Sequence, residues 1–196
     1  MNQPATIDSL KAQIRRDAAA RRDALPAAER AAAAAGIAAR PLPVAVLAGA
    51  IVSGFSPLKS EINPVPLMRA FAAAGAGLAL PVVAGRGKPL VMRSWNFGDP
   101  LVSGVWGIRE PPPAAAEVFP DMLIVPLLAF DRTGHRIGYG AGYYDMTIAR
   151  LRRMKPVVAL GIAYAAQEIA EIPTTERDAR LDFVLTERET IDLRKA

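Results

Sequence analysis

The sequence predicts an α/β layered domain built on a mostly parallel sheet, and three observations carry that expectation. From about Val44 onward, short apolar runs of strand length are separated by proline and glycine, the texture of strands buried on both faces. Several of these runs alternate with stretches of helical period, and that alternation stacks helices on a sheet. The 196 residues show no internal repeat and no linker, so residues 1–196 are expected to form one domain.

The elements follow in order. Thr6, Asp8 and Ser9 offer caps for a first helix, LKAQIRRDAAARRDAL, in which Leu10 and Ile14 lie one turn apart among basic residues. Pro26 suits the first turn of a second, PAAERAAAAAGIAAR, which Pro41 stops. An arginine-rich helical pair over about 6–40 is therefore expected against the core. AGAIVSGF reads as a strand, PLMRAFAAAGA as a helix, and GLALPVV and PLVMRSW as two further strands. MLIVPLL, VVALGIA and FVLT complete the strands, with GYYDMTIARLRRM and the shorter AAQEIAEI as the helices between them.

Composition excludes several chemistries. With no cysteine, disulfides, thiolate metal sites and a cysteine nucleophile are impossible, and a reducing cytoplasm is compatible. The first residues, MNQPATIDSLKAQIRRD, lack the apolar core of a signal peptide. Pro41 to Leu58 is uncharged, but three prolines and two glycines argue for a buried strand with loops rather than a membrane span. The net charge of +5 is spread along the chain with no basic run among aromatics, so an anionic small molecule fits the positive field better than nucleic acid. The protein is expected to be cytoplasmic and monomeric.

The stretch RIGYGAGYYD, residues 136–145, stands out. Gly138, Gly140 and Gly142 alternate, so backbone amides of the loop can close on phosphate oxygens, and the helix that follows points its positive end at the same place. Neither GxGxxG nor a Walker loop is matched, because Tyr143 fills the third glycine position and the only Gly-Lys pair precedes Pro89. A plain glycine-rich turn or bulge is the competing reading. Arg136 could pair with phosphate and Asp145 could hold a magnesium ion, or they could be a surface charge and an acid favoured at a helix start.

VPLLAFDRTGHRIGYGAGYYD resembles the signature of the 5-formyltetrahydrofolate cyclo-ligase family, also called 5,10-methenyltetrahydrofolate synthetases. KAQIR, FSPLKSEI, WGIREP and PTTERDARLDFVLTE agree with it in order, so the resemblance covers nearly the whole chain. It implies a three-layer α/β/α fold with a mostly parallel central sheet, like that of the NagB/RpiA/CoA-transferase-like group. The implied reaction uses ATP and Mg2+ to turn 5-formyltetrahydrofolate, with or without a polyglutamate tail, into 5,10-methenyltetrahydrofolate, ADP and phosphate. Two rival functions are a phosphosugar isomerase-like enzyme and a basic RNA-binding protein that has lost the chemistry.

The resemblance also implies a site. Lys11 and Arg15, four apart on the first helix, match ATP contacts, and sharing one helix face lets both reach one phosphate chain. Arg136, Ile137, Gly138, Tyr139, Gly140, Ala141, Gly142, Tyr143 and Tyr144 match the ATP segment, with Tyr139, Gly140 and Tyr143 also lining the folate side. Arg136, Tyr144 and Asp145 are the expected catalytic residues. Asp145 and Asp178 match magnesium ligands, with Asp182 a competitor on spacing alone. Phe55, Ser56, Glu61 and Trp106 match substrate contacts, although Phe55 and Trp106 also read as core. Ala141, Tyr139 and Arg177 depart from residues common in relatives. His135, the only histidine, is expected to be an exposed loop residue.

Overall fold

A computed structural model describes residues 6–194. Helices α1 (Ile7–Asp23) and α2 (Ala27–Ala38) lead into β1 (Ile51–Ser53), α3 (Val65–Ala73), β2 (Gly77–Val82) and β3 (Val91–Ser94). A small hairpin, β4 (Val102–Ser103) and β5 (Arg109–Glu110), precedes β6 (Met122–Val125). A second hairpin, β7 (Ala129–Phe130) and β8 (Arg136–Ile137), is followed by α4 (Tyr143–Met154), β9 (Val158–Ile162), β10 (Phe183–Leu185) and β11 (Thr190–Asp192).

Seven strands form one sheet in the order β11-β10-β9-β6-β1-β2-β3. The five inner strands run parallel, with registers such as Val52 opposite Met122 and Val125 opposite Gly161. Both edges are antiparallel. Connection length explains this: residues 83–90 and 186–189 are too short for the crossover that a parallel neighbour needs. PLVMRSW is thus a strand, as expected, but in the opposite sense to its neighbour.

Helices cover both faces of the sheet, giving three α/β/α layers. On one side Ala33, Ala34 and Ile37 of α2 and Leu67, Met68 and Phe71 of α3 bury against Val52, Leu78, Ile124 and Leu160. On the other, Ile148 and Leu151 of α4 bury against Leu123, Val125, Ala159 and Val184. Each large side chain buried in this way contributes roughly 1.5–3 kcal/mol. The alanines of α2 are thus a packing surface that lets two helices approach closely. Helix α1, whose N-cap Thr6 accepts from the Ser9 amide, belongs to neither layer. Its Ala18 packs with Leu128, Ala129, Ile137 and Ile172, so α1 leans on the β7–β8 hairpin.

AAQEIAEI departs from expectation, forming only a 3-10 turn over Ala165–Gln167. The buried Gln167 amide accepts from the Tyr164 N–H and donates to the Leu127 and Leu128 carbonyls, a use of the side chain that competes with helix. No strand was expected in the sequence of β4, β5, β7, β8 or β11; four of these have only two residues and arise from hairpin pairing.

Candidate active site

In a parallel sheet, ligands collect outside the carboxyl ends of the strands. Here that edge receives the loop after β1, the glycine loop between β8 and α4, the turn after β9 and the long connection into β10. Helix α1 contacts the hairpin and the turn at this edge.

One face of α1 supplies most of the cations. Lys11, Arg15, Ala18 and Arg22 follow the i, i+4, i+7, i+11 spacing that keeps side chains in one stripe, about 16 Å long. Lys11 is only 8% exposed and donates to Asp178 Oδ2 at 2.6 Å. Arg15 Nε donates to the Gly138 carbonyl at 3.0 Å. Arg22 Nε donates to Ser60 Oγ and its Nη2 to the Tyr139 hydroxyl, both at 2.9 Å. The expected Lys11–Arg15 pair therefore extends to Arg22, which motif matching missed and the stripe spacing could have found.

The glycine loop has specific backbone requirements. Gly140 (φ +100°) and Gly142 (φ +68°) occupy the left-handed region, and a Cβ on Gly140 would stand 3.3 Å from the guanidinium carbon of Arg15. Gly142 opens α4 with no side-chain cap, so the first-turn amides are available to an anion. Tyr139, 51% exposed, reaches back to α1, while Ala141 is exposed. Ile137 is buried in the hairpin core, so its side chain is a packing residue and only its backbone borders the loop.

Arg136 is turned inward. Its guanidinium donates to the Ala179 carbonyl and to Asp145 Oδ1, the latter at 2.7 Å. Burial pulls it below the usual guanidinium range, opposed by the charges of Asp145 and Asp178. Arg136 thus holds Asp145 directly and, through the Ala179 carbonyl, the segment that carries Asp178. The Ala179 amide also donates to Asp145 Oδ1, and Asp178 Oδ2 accepts from Lys11 and from Thr175. Among the described residues, Asp145 Oδ2 and Asp178 Oδ1 take no hydrogen bond. Asp182 is excluded from this cluster, since it bonds Arg152 and the Ala159 amide instead.

Burial works to raise the Asp178 pKa, but donors from Lys11 and Thr175 outweigh it and the net shift is downward. A depressed carboxylate contributes stability that is present above its unfolded value, about 3.9, and is lost as pH falls through the folded value. The stability difference between wild type and Asp178→Asn in urea melts is therefore expected to be largest near neutrality. It should shrink progressively below about pH 4; a difference that does not vary with pH would dissociate Asp178 from the Lys11 contact.

These carboxylates fit a magnesium ion of one particular kind. No group of three or more acidic or histidine side chains forms an all-protein cage among the described residues. Magnesium commonly takes one or two carboxylates and completes its shell with water and substrate phosphates, and the two open oxygens of Asp145 and Asp178 suit that arrangement.

Beside the loop, Trp106 is 68% exposed with φ +57°, and its ring lies 6.2 Å from that of Tyr143, so it is not core. Phe55 is 4% exposed and belongs to the buried cluster between α2, α3 and the sheet. Ser56 donates to the Arg109 carbonyl, joining the loop after β1 to β5. Glu61 is partly buried and accepts from the Leu58 amide at 2.7 Å. Burial raises its pKa, against the Leu58 N–H, the charge of Arg22 and the Tyr139 hydroxyl. Tyr144, also partly buried, has its phenol pushed well up by desolvation and then by the Glu61 charge. His135 is half-buried in the β7–β8 turn against Thr133 Oγ1, and Arg177 is exposed; neither is joined to the cluster by a hydrogen bond.

The model of the 5-formyltetrahydrofolate cyclo-ligase family matches residues 7–187. A 5-formyltetrahydrofolate cyclo-ligase of Mycolicibacterium smegmatis is 34% identical over 74% of this chain and 77% of its own length. One from Escherichia coli K12 is 32% identical over 69% and 76%. The solution structure of Aquifex aeolicus 5,10-methenyltetrahydrofolate synthetase superposes with a TM-score of 0.76 at 28% identity, covering 95% of this chain and 94% of that one. The Mycoplasma pneumoniae synthetase, at 19% identity and TM-score 0.66, shares the fold.

Proposed function

The chain belongs to the 5-formyltetrahydrofolate cyclo-ligase family, and on that premise we propose that it converts 5-formyltetrahydrofolate to 5,10-methenyltetrahydrofolate with ATP as co-substrate. The observation that supports this most is the meeting, at one sheet edge, of Lys11, Arg15, an uncapped helix start and two carboxylates beside Glu61 and Trp106.

The chemistry asks for positioning and charge rather than a protein nucleophile. The formyl oxygen on N5 is a poor leaving group until the γ-phosphoryl group of ATP is transferred to it and ADP departs. N10 then attacks the activated carbon and loses its proton. The carbon–oxygen bond breaks, phosphate leaves with the former formyl oxygen, and the five-membered ring closes. Lys11, Arg15 and the amides of Gly140 to Tyr144 would hold the triphosphate. Asp145 and Asp178 would hold magnesium, which neutralises charge on the phosphates. Arg136, which holds Asp145, and Tyr144 beside it would complete the catalytic group. Glu61 would accept pterin N–H groups, with Ser56, Trp106, Tyr139 and Tyr143 around the folate.

The same proposal has a monomer acting in the cytoplasm on a small folate, with or without a polyglutamate tail, rather than on nucleic acid or at a membrane. No described helix is long and apolar enough to cross a membrane.

Purified protein mixed with 5-formyltetrahydrofolate and magnesium should show the near-ultraviolet absorbance of the methenyl product only when ATP is added. Product formed without ATP, or none from folded protein, refutes the proposal. Arg15→Ala should raise the KM for ATP by roughly tenfold, the size of a charge-assisted hydrogen bond, and leave that for the folate little changed. Equal KM values for ATP in the variant and wild type would return Arg15 to a purely structural bond with Gly138.

A further inference from the structure

Arg22 is a buried cation to which the reaction sequence above gives no part. It is 1% exposed, although Arg16 and Arg21 on the same helix remain in solvent. Its nearest carboxylate in an ion pair, Asp23, is 4.0 Å from Nε. Its Nη1 is one of two buried side-chain atoms without a hydrogen-bond partner among the described residues. An unpaired buried donor costs about 1–3 kcal/mol, so packing alone does not account for placing a guanidinium there.

What Arg22 does reach is the folate side. Nε holds Ser60, the neighbour of Glu61; Nη2 holds the Tyr139 hydroxyl; and the guanidinium lies 5.8 Å from the centre of the Tyr139 ring. Ser60 is braced further, donating to Asp23 and accepting at its carbonyl from the Tyr164 hydroxyl. One side chain of α1 thus ties the loop after β1 to the glycine loop.

We propose that Arg22 is a positioning residue for folate: it fixes Tyr139 and Ser60, the neighbour of Glu61, by hydrogen bonds and keeps a buried positive charge on that side of the site. This rests on the cyclo-ligase reading, in which Glu61 meets the pterin. Glu61 can accept N–H groups at both oxygens only when ionised, and its burial works against that. Against that burial act the Leu58 N–H, Arg22 from α1 and the Tyr139 hydroxyl from the glycine loop, while the Glu61 charge itself acts on Tyr139, on Tyr144 of α4 and on Tyr164 after β9. Arg22 is the only cation among them. Its charge also acts on Tyr139 and Tyr164.

The test is initial-rate kinetics against pH for wild type, Arg22→Lys and Arg22→Met, varying each substrate in turn, with thermal melts to establish folding. Both variants should raise the folate KM by roughly tenfold or more while the ATP KM stays within about threefold. In Arg22→Met the acid limb of kcat/KM for folate should move to higher pH, because the charge favouring ionised Glu61 is gone. In Arg22→Lys, which keeps the charge and loses the fork, the limb should stay near the wild-type position. Equal effects on both substrates, or an unmoved limb in folded Arg22→Met, overturns the proposal. If Arg22→Met does not fold, Arg22→Lys decides: an unchanged folate KM refutes the role, and a folate-selective rise with the wild-type limb supports it. A wild type with no ATP-dependent turnover removes the cyclo-ligase reading itself, and the folate role of Arg22 with it.

Discussion

Asp145→Asn is expected to bind 5-formyltetrahydrofolate within about threefold of wild type and to turn it over about a hundredfold more slowly or worse, as when a charged group serving the transition state is lost. The substitution keeps the shape of the side chain and an oxygen for the Ala179 amide, and removes the negative charge that faces Arg136 and that would hold magnesium. Binding by equilibrium titration and turnover by product absorbance separate the two effects. Asp145→Ala is a harsher change: it strands a guanidinium whose side chain is almost wholly buried, at a cost of about 3 kcal/mol, and should also lower the melting temperature. Near-normal turnover in Asp145→Asn would take Asp145 out of the chemistry and leave it as the counter-charge of Arg136.

The second large effect is expected from Gly140→Val. A β-branched residue at φ +100° carries roughly 1–3 kcal/mol of backbone strain, and its Cβ would press on the guanidinium carbon of Arg15 at 3.3 Å. The loop has to shift, so the ATP KM should rise by about tenfold or more while the folate KM moves less. Gly138→Ala adds its carbon where nothing lies within 4 Å and φ is not positive, so its cost should be distinctly smaller. Equal ATP KM values in Gly140→Val and Gly138→Ala would mean that conformation at residue 140 does not shape the nucleotide site.

The pattern of apolar runs and helical periods was enough to place six of the seven strands of the main sheet, α3, α4 and the layered fold, because burial on both faces and strand–helix alternation leave a local signature. The antiparallel edges were not local in that way. They depend on connection length, and β11 depends on β10 being there to pair with. AAQEIAEI has a helical pattern, yet Gln167 finds better partners in the Leu127 and Leu128 carbonyls, which lie far away in sequence.

For the site, the sequence by itself determined the inventory: an alternating glycine loop opening a helix, a lysine and an arginine one turn apart, acids at 145 and 178, and a carboxylate after the first strand. Its glycines show where the backbone has to be bare, and its spacing shows which cations share a face. Only the tertiary structure decided what each charge faces. It joined Lys11 to Asp178 across the chain, turned Arg136 inward onto Asp145, moved Phe55 into the core and Trp106 out of it, and brought Arg22 to Tyr139 and Ser60. Side-chain type and local period are properties of the chain, whereas burial and ion pairing depend on which distant segments the sheet brings to the same edge.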